Sequence, residues 1–184
     1  MNQQQEAPLY DALLRHANKY GADFHVPGHK RGKVFDEAGR ALFKQVLQLD
    51  LTEIGDLDDL HQPTGVIMQA QKLAAEAFSV KQTAFLVGGS TVGNVALIMA
   101  TCQPGDEIII QRNSHKSLFS GCMLAGARPI CLQPEFDHVA GIYTSVTLEK
   151  LQQCLQRYPK AKAVFLTSPN YYGSIQPIKQ IADV

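Results

Sequence analysis

The sequence predicts an α/β fold, a mostly parallel sheet covered by helices on both faces and preceded by an N-terminal helical segment. Two observations predict it. Short, continuously apolar segments alternate with helix-like segments from residue 83 onward, which is typical of parallel strands buried on both faces. Turns rich in glycine and proline separate these segments, as the connections between strands and helices require.

Residues 1–62 are predicted to contain two helices and two long loops. Apolar residues at helical spacing predict helices over residues 7–20 and 35–49. The apolar face of the first helix consists of Leu9, Leu13, Ala17 and Tyr20. His25–Gly32 contains Pro27 and two glycines among basic residues, so it is predicted to be a turn rather than a regular element.

Asp50–Gly65 is predicted to be an acidic loop. It contains five carboxylates, those of Asp50, Glu53, Asp56, Asp58 and Asp59. Their spacing fits no calcium-binding loop. A metal site is conceivable, but a solvated or interface loop is the interpretation that the pattern favours.

Residues 63–184 are predicted to form the first part of a larger α/β domain. The predicted strands are 83–87, 107–112, 128–132 and 163–167, and helices are predicted between and after them. The last helix opens at Pro177, which suits a first turn. It reaches Val184 without a C-cap, so we expect the polypeptide to be longer.

One glycine-rich turn has the pattern of an anion site. In Phe85-Leu-Val-Gly-Gly-Ser-Thr-Val-Gly-Asn94 an apolar segment passes through two glycines into a helix. Such a turn exposes unpaired N–H groups at the positive end of the helix dipole. Ser90 and Thr91 add hydroxyl donors and are expected to cap the helix. On this turn alone, an ordinary capped βα connection is the simpler interpretation.

Three loops follow predicted strands and are expected at one edge of the sheet. They are Gly88–Thr91, Asn113–Ser117 and Ser168–Gly173. Ligands of open α/β sheets bind beyond the carboxyl ends of the strands. The sequence therefore predicts a ligand site at this edge.

The composition argues against nucleic acid, a membrane or a metal ion as a partner. Seventeen basic and seventeen acidic residues give a formal net charge of zero, so no charge excess indicates nucleic acid or a membrane surface. No apolar run approaches the ~18 residues of a membrane span. Cys102, Cys122, Cys131 and Cys154 lack the spacing of zinc or redox motifs. We expect them to be small core residues of a cytoplasmic protein without a metal.

Five segments, in order, carry a resemblance to a known family. They are His25–Gly32, Asp50–Leu60, Gly88–Thr91, Arg112–Ser117 and Thr167–Gly173. Together they resemble the Orn/Lys/Arg decarboxylase family, the large pyridoxal-phosphate enzymes of the aspartate-aminotransferase fold type. The resemblance looks closest to the shorter bacterial members.

The resemblance implies a cofactor and residues to hold it. Gly89, Ser90 and Thr91 would bind the phosphate of pyridoxal 5'-phosphate. His115 would stack its imidazole on the pyridine ring. Without the neighbouring motifs, a helix-capping or core histidine would be the better interpretation of His115.

The resemblance also implies a substrate and a partner. His29 and Asp56 would lie in loops at the entrance of the active site, where two subunits of a homodimer or larger homo-oligomer meet. The substrate would be arginine, lysine or ornithine, and the sequence does not distinguish among the three.

Two features of the family are expected outside these 184 residues. The family's Schiff-base lysine lies far downstream in a Ser-x-His-Lys motif, after an aspartate that pairs with the pyridine nitrogen. Asn113-Ser-His-Lys116 is similar, but Asn113 stands at the serine position, so we interpret Lys116 as a decoy. The chain is predicted to be the N-terminal portion of a decarboxylase and inactive alone.

Two other functions stay open. One is a different reaction on the same fold, such as aminotransfer or β-elimination. The other is a non-catalytic remnant or interaction module. The sequence that follows Val184 in the gene would distinguish them.

Overall fold

The computed structural model describes residues 3–19, 21–43 and 45–184. The chain forms two compact units, Met1–Phe85 and Leu86–Val184. The first is helical with long loops, and the second contains the sheet. The predicted division between residues 62 and 63 concerns the domains of the longer protein and stays a prediction.

The described part of the first unit is built from helices. They are α1 (Pro8–Ala17), α2 (Glu37–Phe43), α3 (Val46–Leu49) and α4 (Val66–Ala77), with short 3-10 turns at Gln3–Gln5 and Gly55–Leu57. The prediction of α1 is confirmed, although the helix ends at Ala17; Tyr20 lies outside the described residues. Pro8 begins α1 because its fixed φ suits a first helical turn.

The predicted helix over residues 35–49 is two helices instead of one. Leu42 and Val46, expected on its buried face, are 76% and 67% exposed. Of the residues that the structure describes in this stretch, only Leu47 is buried. A single long helix is held mainly by burying a continuous apolar stripe, and this stretch buries none.

The second unit alternates helices and strands. Its elements are α5 (Gly89–Thr101), β1 (Glu107–Gln111), α6 (Lys116–Ala125), β2 (Arg128–Leu132), β3 (Phe136–Asp137), β4 (Ile142–Tyr143), α7 (Leu148–Arg157), β5 (Val164–Phe165) and α8 (Ile178–Ala182). The parallel strands are ordered β2-β1-β5. Helices cover both faces of this sheet, so the predicted α/β architecture is confirmed.

The buried strand β1 divides the core into two layers. Ile108 and Ile110 pack with residues of α5 and α6, and Ile109 packs with residues of α7 on the opposite face. All three isoleucines are fully buried, as expected for a central parallel strand. A Cβ at Gly121 of α6 would lie 2.9 Å from Ile98 Cδ1 of α5, so glycine permits the close approach of these helices.

The strand predicted over residues 83–87 is wrong. This segment is irregular, and Val87 is 89% exposed. A strand needs a partner for its backbone groups, and the described residues pair none with this segment. An apolar, β-prone composition alone is therefore not enough to form a strand at residues 83–87.

Two smaller features also differ from expectation. The antiparallel hairpin of β3 and β4 was not predicted, because strands of two residues are too short to show an alternation of apolar and polar residues. Cys131 is exposed rather than in the core, since it lies on β2, an outer strand of the three-stranded sheet. Cys102 and Cys122 are buried as expected. Among the described residues, no helix is both long and apolar enough to cross a membrane.

The acidic loop is held by its own hydrogen bonds. Asp58 Oδ2 accepts from the backbone N–H groups of Gly65 at 2.8 Å and Ile67 at 2.9 Å, and Oδ1 accepts from Thr64 at 2.9 Å. The side chain thus satisfies the N-terminus of α4, whose N-cap residue Gly65 has no side chain. Asp59 and Glu53 accept backbone N–H groups within the loop as well. Asp58 is half-buried and structural, whereas Glu53 and Asp59 remain exposed, as the solvated-loop interpretation expects.

We expect Asp58 to make the stability of this unit depend on acidic pH. The backbone N–H of Thr64, with other backbone donors, holds the pKa of Asp58 well below its ordinary range, although burial opposes the shift. A carboxyl whose pKa is lower in the folded state than in the unfolded state stabilises the fold above its unfolded-state pKa, which is about 4. This stabilisation is lost as the pH falls below that value.

Thermal unfolding followed by circular dichroism over a pH series checks this. Asp58→Asn should melt at a lower temperature than the wild type at neutral pH, and the difference should shrink in acid. Glu6→Gln, at an exposed position outside the helices, is the matched control and should show little change. A difference that is constant down to the most acidic pH would contradict the role of the ionised carboxylate.

Candidate functional site

The helix α5 begins with free backbone donors. Gly88 is its N-cap and Gly89, at φ +68°, its first residue, and no side chain caps it. The expectation that Ser90 and Thr91 cap α5 is therefore wrong, because the helix starts before them and they lie within its first turn. Both are exposed, and that turn contains no acidic residue. The first N–H groups and two hydroxyls thus face solvent at the positive end of the helix.

His115 is the N-cap of α6. Its backbone is extended, and its Nδ1 accepts the backbone N–H of Ser117 at 3.2 Å. The interpretation of His115 as a helix cap is therefore confirmed. Its interpretation as a core histidine is wrong, because the residue is exposed. Lys116, the first residue of α6, is also exposed.

A side-chain bridge joins α5 to the loop of His115. Asn94 Nδ2 donates to Ser117 Oγ at 2.8 Å, and that oxygen lies 2.9 Å from His115 Nδ1. Asn94 lies one helical turn after Ser90 and Thr91. This link holds α5 against the start of α6.

A second connection joins the loops after β1 and β5. The fully buried amide of Gln111 donates from Nε2 to Asn113 Oδ1 at 2.7 Å. Its Oε1 accepts from the Thr167 N–H at 3.2 Å and from Gln176 Nε2 at 2.9 Å. Ser114 Oγ lies 2.9 Å from Thr167 Oγ1. These contacts join the Asn113–Ser117 loop to Thr167 and Gln176, which lie on either side of the Ser168–Gly173 loop. The Gly88–Thr91 loop takes no part in them and follows no described strand.

Asn170 fixes the shape of the Ser168–Gly173 loop. Its buried side chain accepts the N–H groups of Tyr172 and Ser174 at 2.9 and 3.0 Å, and its amide donates to the Tyr143 carbonyl at 2.9 Å. Sequence reasoning assigned no single residue in this loop. Gln111 had one visible signal, an amide at the end of an apolar strand.

A polar cleft lies beside these loops. It has a volume of about 330 Å³ and is lined by Arg112, Asn113, Gln133, Pro134 and Tyr143. The guanidinium of Arg112 lies 6.0 Å from the centre of the Phe119 ring. The cleft opens at the carboxyl ends of β1 and β2, where open α/β sheets bind ligands.

His29 and Asp56, in the first unit, each have other partners. His29 Nε2 lies 3.1 Å from Asp50 Oδ2, while its Nδ1 accepts the Gly32 N–H at 3.1 Å. Asp56 accepts from Lys19 Nζ at 2.9 Å, and this hydrogen bond is the main cause that lowers the pKa of Asp56 to about 2. No contact among the described residues brings His29 and Asp56 together.

His25–Gly32 is a turn, as predicted. Arg31 Nε pairs with Asp23 Oδ1 at 2.8 Å, and its Nη1 donates to the Ala17 carbonyl at 2.8 Å. The turn is thereby tied to the end of α1. Within the residues that the structure describes, no group of three or more histidine, cysteine and carboxylate side chains is arranged to hold a metal ion.

Comparison with known proteins identifies relatives over nearly the whole chain. Residues 7–184 match the Orn/Lys/Arg decarboxylase major domain. The chain is 45% identical over 174 residues to the uncharacterized protein YaaO of Bacillus subtilis, covering 95% of this chain and 36% of that protein. It is 42% identical over 182 residues to the arginine decarboxylase of the same organism, covering 98% and 37%. The chain thus spans little more than a third of the length of these relatives.

Solved structures show the same fold. The constitutive lysine decarboxylase of Escherichia coli superposes with a TM-score of 0.74 at 22% identity, over 90% of this chain and 25% of that one. Lysine decarboxylase A of Pseudomonas aeruginosa gives a TM-score of 0.72 at 25% identity, over 89% and 24%. These similarities support the α/β architecture.

We expect Gln111→Leu to destabilise the second unit. The substitution keeps the approximate volume but leaves Thr167 N–H, Gln176 Nε2 and Asn113 Oδ1 without their partner. Gln176 is buried, and an unsatisfied buried group costs roughly 1–3 kcal/mol. Urea unfolding should show a free energy lowered by at least this amount. Gln153→Leu, the same change at an exposed position of α7, is the control; equal unfolding free energies for the two variants would contradict the role of the buried amide.

Proposed function

Because the chain belongs to the Orn/Lys/Arg decarboxylase family, we propose that it supplies the cofactor-binding loops of a pyridoxal-phosphate-dependent decarboxylase of basic amino acids. It corresponds to the N-terminal portion of such proteins. The observation that supports the proposal is the hydrogen-bonded link from Asn94, one turn into the uncapped helix α5, through Ser117 to the exposed His115. A phosphate and a flat aromatic ring are the two halves of this cofactor.

The residues present fit the phosphate. The first turn of α5 offers backbone N–H groups, no side-chain cap and no carboxylate. The hydroxyls of Ser90 and Thr91 have no hydrogen-bond partner within the described part of the chain. Gly89 adopts a left-handed conformation, φ +68°, which lets the backbone approach an anion closely. A phosphate would gain charge-assisted hydrogen bonds from all of these donors.

The residues present also fit the ring. His115 is held through Nδ1 while the residue stays exposed. A ring held at one nitrogen keeps its faces available for stacking. The chemistry that the cofactor supplies when bound is an electron sink for bond cleavage beside the amine of an amino acid. In this proposal Ser90, Thr91 and His115 bind and orient, and none of them moves a proton.

Substrate and partners extend the proposal to the longer protein. Relatives include an arginine decarboxylase and an ornithine decarboxylase, so we propose arginine, lysine or ornithine as substrate. We propose that His29 and Asp56 lie at the entrance to the site, in a homodimer or larger assembly. The chain has free cysteines, which suits a reducing compartment such as the cytoplasm.

Removing the hydroxyls of α5 tests the phosphate site. Ser90→Ala with Thr91→Ala should weaken binding of pyridoxine 5'-phosphate by at least about tenfold, because each lost hydrogen bond to a charged group is worth roughly 1.5–3 kcal/mol. This ligand lacks the aldehyde and so does not react with lysines. Isothermal titration of the 184-residue chain measures the affinity.

The control lies at the other end of the same helix. Thr101 Oγ1 bonds to the Leu97 carbonyl at 2.6 Å, so Thr101→Ala removes a hydroxyl from α5 without touching the site. Its affinity should equal that of the wild type. A double variant that binds as tightly as this control would show that the phosphate lies elsewhere.

A second test concerns covalent capture of the cofactor. Of the eleven lysines, Lys116 is the one next to His115, and adjacent side chains point in different directions. We propose that no lysine of this chain is the cofactor lysine. Incubation with pyridoxal phosphate, borohydride reduction and peptide mapping should therefore give diffuse labelling, the same in Lys116→Arg. Stoichiometric labelling of Lys116, with carbon dioxide released from arginine, lysine or ornithine, would contradict this.

A further inference from the structure

The hydroxyl of Ser117 is the centre of a three-residue hydrogen-bond chain. Ser117 is 1% exposed, and its Oγ lies between Asn94 Nδ2 at 2.8 Å and His115 Nδ1 at 2.9 Å. The backbone N–H of Ser117 reaches the same Nδ1 at 3.2 Å. The two contacts to Nδ1 therefore come from one residue.

The direction of this chain follows from donor and acceptor chemistry. A backbone N–H can only donate, so Nδ1 of His115 has to be the acceptor and carries no proton. The amide Nδ2 of Asn94 also only donates, so Ser117 Oγ accepts from it and turns its own hydrogen toward Nδ1. Asn94, Ser117 and His115 thus form a relay in which every donor points toward the imidazole.

We propose that Asn94 and Ser117 are positioning residues that fix the tautomer and orientation of His115. The neutral ring then carries its proton on Nε2, which has no hydrogen-bond partner among the described residues. The exposed ring keeps a donor and two faces available for a ligand. The tautomer is a property of the chain itself; only the identity of the ring that stacks on His115 rests on the proposed function.

The relay also makes α5 and His115 interdependent. Asn94 lies on the helix whose first turn contains Ser90 and Thr91, so a shift of that helix moves the donor that holds Ser117. Conversely, loss of the hydroxyl leaves His115 with the backbone N–H alone. The hydrogen bond made by one ring nitrogen of a histidine determines whether the other nitrogen carries the proton.

Nuclear magnetic resonance of the chain labelled with ¹⁵N-histidine tests the proposal. Long-range ¹H–¹⁵N correlation spectra separate the two neutral tautomers, and the resonance that His115→Phe removes is that of His115. Spectra are recorded without cofactor, at an alkaline pH where all six imidazoles are neutral. The wild-type ring is expected as the Nε2–H tautomer.

Three variants test the relay itself. Asn94→Asp keeps the shape but accepts the Ser117 hydrogen and reverses the relay, and Ser117→Ala removes the hydroxyl. Each should raise the Nδ1–H fraction of His115 by about two- to tenfold, the worth of one net hydrogen bond. Ser117→Thr keeps a hydroxyl and should restore the wild-type ratio.

The control is Ser120→Ala on the same helix, where the hydroxyl bonds to the Lys116 carbonyl at 3.2 Å; it should leave the ratio unchanged. A wild-type His115 protonated on Nδ1 would overturn the proposal, whatever the variants do. So would a wild-type ratio in Asn94→Asp and Ser117→Ala chains that keep the native amide spectrum. Binding of pyridoxine 5'-phosphate is measured separately, so its failure would refute the proposed function and leave the relay standing.

Discussion

The buried amide of Gln111 is the interaction on which the arrangement of the sheet edge depends. It lies at the end of β1, between two core layers, fully removed from solvent. A buried amide has to find partners for both of its ends. It finds them in Asn113, Thr167 and Gln176, so the loops after β1 and β5 are held in the positions that satisfy it.

Among the described helices of ten residues or more, the helix starts differ in how their backbone donors are satisfied, whereas the short helices α3 and α8 also lack a side-chain cap. The first turn of α4 is satisfied by Asp58, that of α6 by His115 and that of α7 by Thr147. The start of α1 has Pro8, which lacks an N–H, and Asp11 in its first turn. The start of α5 has none of these, and it is the one joined to His115. Unsatisfied backbone donors are costly unless something binds them, and an anion is the complement of this set.

Sequence periodicity could predict most of the fold and little of what holds the site. Apolar spacing located α1, α4, α5 and α7, and continuous apolar segments located β1 and β2. It placed a strand at residues 83–87, where composition is β-prone but no described strand pairs with it. It also missed Asp58 as the cap of α4, since the side chain acts from a loop seven residues before Gly65. Capping at that separation follows from the folded loop, not from a local motif.

The candidate site shows the same division between local and long-range information. Ser90 and Thr91 were predicted from a local pattern and His115 from the family resemblance, whereas the contact between Asn94 and Ser117 was not predicted, because it spans α5 and α6. The two interpretations of His115, a helix cap and a partner of a ring, also prove compatible. Capping uses one nitrogen in the plane of the imidazole, and stacking uses its faces. A residue that binds the start of α6 through Nδ1 is thereby held in a fixed orientation, and a fixed orientation is what a stacking partner requires.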